Sequence, residues 1–244
     1  MGYRSVLYRK QLELRGTAGS RGEPLPLEEA VAKLKAMVGL KSDRRYKGAR
    51  ARKAVDQTVE LVMHLGIDAR QADQMIRGAI SLPKGIGKSR RVVAFCDEAT
   101  AEAARQAGAC EAGADELIER VQGGWLDFDV AIAHPALMGK VGKLGRILGP
   151  QGKMPAPKAG TVTPDVVTAV REFSAGRLEF RNDDGGNVHF PVGKASFSAE
   201  DLKQNIEAAI THVTRMKPAA AKGQFVKKVC LAATHTPPVH VTVG

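Results

Sequence analysis

The chain has 244 residues, with 37 Lys and Arg against 26 Asp and Glu, a formal net charge of +11, 43% hydrophobic and 5% aromatic residues. This composition is ordinary for a globular protein. It excludes a disordered tail, and the length allows one large domain or two with a core that needs no staples. No apolar run approaches the ~20 residues of a helical bilayer span, and the basic excess points to a polyanion, with too few aromatics to stack many single-stranded bases.

Residues 1–22 carry five Arg and Lys against Glu13. They read as a basic amphipathic helix with Val6, Leu7 and Leu14 on one side, or as an Arg-rich transit peptide. After Pro24 and Pro26, the spacing of Ala30, Val31, Leu34 and Met37 predicts a helix over 27–38. Residues 41–53 hold seven positive charges and one acid, including Arg44, Arg45, Arg50 and Arg52. Such a run reads as a solvated face or as an RNA contact. From 55 to 67 apolar residues alternate: Val59, Leu61, Met63 and Leu65 face a core, and Thr58, Glu60 and His64 face outward.

The middle changes character. Strands at 91–95 and 128–133 alternate with helices at 99–107, 114–121, 135–143 and 164–173, a parallel α/β pattern. Two short strands, 177–181 and 187–191, flank Asn-Asp-Asp-Gly-Gly and read as a hairpin. Ser198 caps a helix to about Met216, with Asp201 in the capping-box position. A last long strand covers 225–234.

The pattern implies two domains: an α/β block at 86–176 inserted into an α+β block formed by 1–85 and 177–244. The outer block holds the whole net charge of +11 and the inner block sums to zero. Nucleic acid is therefore expected on the outer block.

Catalytic and metal motifs are missing from the sequence. The Gly-rich stretch at 149–160 fails as a P-loop, since Ile147 stands where the first glycine belongs and Met154 where Ser or Thr belongs. Its prolines and glycines still demand a fixed path, and Arg146, Lys153 and Lys158 make it a candidate second phosphate patch. Cys96 and His134 fall at strand ends of the α/β block, where an enzyme would place a small-molecule site. Cys96, Cys110 and Cys230 form no CxxC, which suits a reducing compartment.

Residues 143–163 (KLGRILGPQGKMPAPKAGTVT) resemble the signature of the universal large-subunit ribosomal protein one family, the protein of the "L-one" stalk. Residues 65–70 (LGIDAR), 73–78 (DQMIRG), 180–183 (FRND), 192–195 (VGKA) and 221–225 (AKGQF) are similar to it in family order. The resemblance covers about 27–239. It implies a discontinuous RNA-binding domain, α+β with a split β-α-β unit, and an inserted Rossmann-like α/β domain. It implies binding to the ribosomal RNA stalk near the tRNA exit site and help in releasing deacylated tRNA. It also implies repression of the protein's own messenger RNA, a monomer within a bacterial or organellar ribosome, and neither catalysis nor cofactor nor metal. The family's RNA face carries over to Thr58, Glu60, Arg181, Asp183, His189, Lys194, Lys222, Lys227 and Thr234.

Three departures stand out. The family's Thr-Met-Gly-Pro is here Thr234-His235-Thr236-Pro237, so a side chain replaces a glycine that lets RNA approach closely. An aromatic expected before the first strand is Val55. The basic loop over 39–53 is longer than in the family.

Overall fold

The computed structural model describes residues 6–17, 20, 23–40, 56–71 and 73–242. Arg44, Arg45, Arg50, Arg52 and Val55 lie outside the described residues. In chain order the elements are α1 (Val6–Arg15), α2 (Leu27–Gly39), β1 (Thr58–Leu65), β2 (Arg77–Ile80), β3 (Val92–Phe95) and α3 (Glu98–Gln106). Then come β4 (Ala109–Gly113), α4 (Asp115–Gln122), β5 (Val130–Ala133), α5 (Met138–Val141), α6 (Gly145–Leu148) and α7 (Val166–Ser174). The chain ends with β6 (Leu178–Arg181), β7 (Asn187–Lys194), α8 (Ala199–Arg215), β8 (Val226–Ala233) and β9 (Val239–Val241).

The chain divides into two compact units. One comprises Met1–Ile76, Leu82–Ile86 and Arg181–Gly244; the other comprises Arg77–Ser81 and Gly87–Phe180. The first unit is built on a four-stranded antiparallel sheet in the order β7-β1-β8-β9. The path β7-α8-β8 leaves a gap that β1 fills, so β1 is hydrogen-bonded on both edges. On the inward face, Val59, Leu61, Met63 and Leu65 of β1 are at most 1% exposed. They meet a layer made by α2, which packs on β8 and β9, and α8, which packs on β7.

The 17-residue α8 shows why this layer forms. Leu202, Ile206, Ala209 and Val213 recur at helical spacing and are fully buried. Each large apolar side chain so buried contributes about 1.5–3 kcal/mol. The helix starts where expected: the Asp201 backbone N–H donates to Ser198 Oγ at 3.0 Å, and Ser198 Oγ donates to Asp201 Oδ2 at 2.6 Å. Gly193 of β7 leaves no room for a side chain under this helix, since a Cβ there would sit 2.8 Å from Leu202 Cδ2.

One polar side chain is fully buried in that layer. Asn205 Nδ2 donates to the Val192 carbonyl at 2.7 Å and the Gly85 carbonyl at 2.9 Å, and its Oδ1 accepts the Lys84 N–H at 3.0 Å. It ties the stretch around residues 84–85 to β7.

The second unit holds a three-stranded parallel sheet in the order β4-β3-β5. One face carries Val92, Ala94 and Ile132 against Ala101 and Ala104 of α3 and Val170 and Phe173 of α7. The other carries Val93, Phe95 and Ala131 against α4 and a run of helical turns from Pro135 to Leu148. That run was expected as one helix over 135–143. It is instead two short 3-10 turns alternating with α5 and α6, longer and broken. Glycines at 139, 142 and 145 weaken the helix, while Leu137, Val141, Leu144 and Leu148 keep its apolar face buried.

The expected hairpin does not form. β6 pairs with β2 and β7 with β1, and a single bridge joins Asn182 to Val188. The polar groups of this segment are taken elsewhere: the Ile76 N–H donates to Asn182 Oδ1 at 2.8 Å and the Asn182 N–H to the Ile76 carbonyl at 3.0 Å. The sequence reading also placed no strand at β2, β4 or β9. The α7 helix begins after Pro164, with Asp165 Oδ1 accepting the Thr168 N–H at 3.1 Å as its cap.

Asn205→Ala would strand the buried Val192 carbonyl and leave the part-buried Gly85 carbonyl and Lys84 N–H without their partner. A loss of about 1–3 kcal/mol is expected from an unsatisfied buried group of this kind, measured by urea unfolding of the full chain.

Candidate nucleic-acid interface

Opposite the helical layer, the sheet of the first unit presents an outward face. Alternation puts Thr58, Glu60, Val62 and His64 of β1 there. Register places neighbours beside them. Lys194 lies across from Thr58, Pro191 from Glu60, His189 from Val62 and Asn187 from His64 on β7. Ala232, Cys230 and Lys228 lie across from Glu60, Val62 and His64 on β8, and His240 of β9 pairs with Cys230.

Three of the sequence-predicted residues meet at one end of this face. Lys194 Nζ donates to Thr58 Oγ1 at 2.8 Å. The Thr58 N–H donates to Thr234 Oγ1 at 3.1 Å, and the Thr234 N–H to the Thr58 carbonyl at 3.2 Å. The chain on both sides is tied down as well. Asp56 accepts from the Ser196 N–H at 3.1 Å and the Ser196 hydroxyl at 2.7 Å, and Gln57 Oε1 accepts the His235 N–H at 3.1 Å. A hydroxyl and an ammonium are thus held together, half-buried, at a rigid sheet end. That arrangement can meet a phosphate oxygen or a ribose 2′-hydroxyl.

Glu60 and His189 are exposed in the middle of the face. Asp183 sits in the connection before β7 and is a turn clamp: its Oδ1 accepts the N–H groups of Gly185 at 2.9 Å and Asn187 at 2.7 Å. The Asn187 side-chain amide, with these backbone N–H groups, holds its carboxyl below the ordinary carboxylate range. His189 Nε2 lies 3.5 Å from Asp183 Oδ2. Arg181 is exposed at the start of the same connection. Lys222 is exposed in the loop before β8, and Lys227 is exposed where the β1–β8 register shifts. There Gly66 allows a close approach, since a Cβ on it would stand 2.3 Å from the Gln224 carbonyl oxygen and the backbone would have to shift.

His64 lies outward as its alternation predicts, whereas Val62, Asn187, Lys228, Cys230 and His240 share the face and were not singled out from sequence. The alternation of β1 carries the signal for Val62 as well. Nothing local signalled His240, because β9 is three residues long and follows Pro237 and Pro238. Divided along the two units, Lys and Arg number 24 against 14 Asp and Glu in the first, and 13 against 12 in the second.

The second basic patch is less uniform than its composition. Arg146 is exposed on α6. Lys153 turns onto its own unit, its Nζ donating to the Leu126 carbonyl at 2.9 Å and lying 5.2 Å from the Phe128 ring centre. Lys158 belongs to the short 3-10 turn Pro157–Ala159. Buried Thr161 fixes the loop: its Oγ1 accepts the Ala156 N–H at 2.8 Å. Of the strand-end residues, Cys96 is fully buried and burial pushes its thiol pKa up. His134 Nδ1 accepts the Ala136 N–H at 3.3 Å and starts the turn that follows. Among the described residues no group of three metal-ligating side chains is present, and no helix is long and apolar enough to cross a membrane.

The model of the ribosomal protein L1p/L10e family matches residues 46–237. The chain belongs to that family. It is 53% identical over 191 residues to the large ribosomal subunit protein uL1 of Nocardioides sp., covering 78% of this chain and 80% of the relative. The proteins of the same name from Clavibacter michiganensis and Lactobacillus gasseri are 53% identical over 189 and 186 residues. They cover 78% and 76% of this chain and 83% and 81% of their own lengths. The L1p/L10e proteins are structural, not enzymes. The matched span contains every sheet residue named above from Thr58 to Thr234, whereas α1, α2 and β9 fall outside it.

The side chain of Thr236, at the position where the resemblance implies glycine, folds onto its own turn. Its Oγ1 accepts the Ala233 N–H at 2.9 Å, and its N–H donates to the Ala233 carbonyl at 3.0 Å. Among the described residues no non-glycine residue has a positive φ, so the turn takes threonine without backbone strain.

Thr58→Val keeps the β-branched shape and frees Lys194 Nζ from its acceptor. Stability is expected within ~0.5 kcal/mol of the parent, as for a surface change, and RNA affinity is expected to fall by about 1 kcal/mol or more. Thermal unfolding and filter binding to large-subunit RNA measure the two.

Proposed function

We propose that this protein is a structural component of the large ribosomal subunit and that the outward face of the β7-β1-β8-β9 sheet holds the ribosomal RNA stalk. The observation that carries the reading is the Thr58–Lys194–Thr234 cluster, set at one end of that face in a chain of this family. The first unit holds the surplus of positive charge, which suits a polyanion. The Arg-rich loop with Arg44, Arg45, Arg50 and Arg52 adds phosphate contacts that carry no sequence information. Arg146 of the second unit extends contact to a second stretch of nucleic acid. By the family resemblance, the protein assists release of deacylated tRNA at the exit site and represses its own messenger RNA. Its place is the ribosome of a bacterium or an organelle.

Sedimentation of the tagged protein with ribosomal particles, followed by sequencing of cross-linked RNA, tests the reading. Co-migration with large subunits and enrichment of one stalk segment are expected. Free protein with no ribosomal RNA attached would contradict it.

Affinity should also fall steeply with salt. A protein making about six to ten phosphate contacts loses roughly 10³–10⁵ in affinity between about 50 and 200 mM salt. Replacing Arg44, Arg45, Arg50 and Arg52 together should reduce the slope of log affinity against log salt and leave RNA preference unchanged.

A further inference from the structure

The outward face also carries a thiol–imidazole pair. Cys230 and His240 are cross-strand partners on β8 and β9. Cys230 Sγ lies 3.1 Å from His240 Nδ1 and 3.8 Å from Nε2. Both residues are half-buried, within reach of solvent. Lys228 stands one step along β8 on the same face and is exposed. An imidazole in contact favours the thiolate, the form that reacts. The other two cysteines differ. Cys96 is fully buried, and burial pushes its thiol pKa up. Cys110 is exposed on β4 and provides a reference for exposure in the same molecule.

We propose that Cys230, activated by His240, is a modification site for low-molecular-weight disulfides of the glutathione type, and that the attached group closes the outward face to RNA. The second half rests on the RNA-binding reading above. In the reaction His240 Nδ1 takes the thiol proton. The thiolate attacks one sulfur of the disulfide, a Cys230 S–S bond forms, and the reagent's S–S bond breaks. The departing thiolate takes the proton and leaves as a thiol. Cys230 is oxidised and the released half of the reagent is reduced, so no further oxidant is needed. Lys228 attracts the carboxylates of a glutathione-type disulfide. Neighbouring strands lie about 4.8 Å apart, so a tripeptide on Cys230 reaches over Val62 on β1 towards His189 on β7. These are positions that RNA would occupy.

The test uses the full chain and glutathione disulfide near neutral pH, with each cysteine followed by peptide mass spectrometry. Cys230 is expected to form the mixed disulfide about tenfold faster than Cys110, given a larger thiolate fraction. His240→Gln should remove most of that advantage. Equal rates at Cys230 and Cys110, or an unchanged rate in a folded His240→Gln variant, would overturn the activation. If that variant fails to fold, the pH profile of the parent decides. Cys230 should keep its rate to lower pH than Cys110, and coincident profiles would overturn the proposal. The purified mixed disulfide should bind large-subunit RNA at least about tenfold more weakly, as expected when a bulky anion covers a phosphate-binding face, and dithiothreitol should restore binding. Equal RNA binding by the mixed disulfide overturns the blocking half. Failure of the unmodified protein to bind RNA would sink the RNA reading, and the thiol rates would still stand or fall by themselves.

Discussion

The sheet pairing of β1 fixes nearly everything else in the first unit. Its two neighbours, β7 and β8, come from the far end of the chain, so Thr58 meets Lys194 across 136 residues and Thr234 across 176. A strand has a period of two, so that pairing also decides which residues face the core. Val59, Leu61, Met63 and Leu65 seal against α2 and α8, and Thr58, Glu60, Val62 and His64 turn outward. A slip of one residue would exchange the two sets, burying a glutamate and a histidine and exposing four apolar side chains. The bulge between Val59 and Glu60 and the shift between His64 and Leu65 pin the register at both ends. Everything inserted between β1 and β7 must therefore bring its own ends back to the sheet. Buried Asn205 and Asn182 hold the backbone where the chain crosses.

Elements with a strong period were legible in the sequence. β1 alternates cleanly, and α8 combines an apolar stripe with Ser198 and Asp201 at its start, so both fall close to where the pattern puts them. β4 was not legible, because Ala-Cys-Glu-Ala-Gly lacks β-branched residues and owes its extended form to parallel pairing with β3. β9 is too short and lies too close to Pro237 and Pro238. The hairpin around Asn-Asp-Asp-Gly-Gly misled for a different reason. The turn chemistry is real, with Asp183 clamping it and Gly186 at a φ of 73°, but turn residues do not say which sheet each flanking strand joins. The outward position of Thr58 and Glu60 followed from alternation. Their meeting with Lys194 and Thr234 did not, since it depends on register between distant segments. Lys153 shows the converse: it counts as a basic loop residue, yet its ammonium is spent on a carbonyl and an aromatic ring of its own unit.

Charge and rigidity divide between the two units. The excess of Lys and Arg lies in the unit built on the β1 sheet, 24 against 14 Asp and Glu, and on the proposed reading phosphate contact supplies the affinity. The glycine- and proline-rich loop of the other unit has local reasons for its path. Thr161 bonds across it, and a Cβ on Gly149 would sit 2.5 Å from the Gly145 carbonyl oxygen. A phosphate cradle is not needed to account for those residues.

The central claim is that RNA lies on the outward face of the sheet. Ultraviolet cross-linking of the full protein to large-subunit RNA, with the attached peptides identified by mass spectrometry, tests it most directly. Cross-links should concentrate on β1, β7, β8 and the turn at 234–236. Cross-links confined to α2 and α8, or to the unit holding β3, β4 and β5, would contradict it.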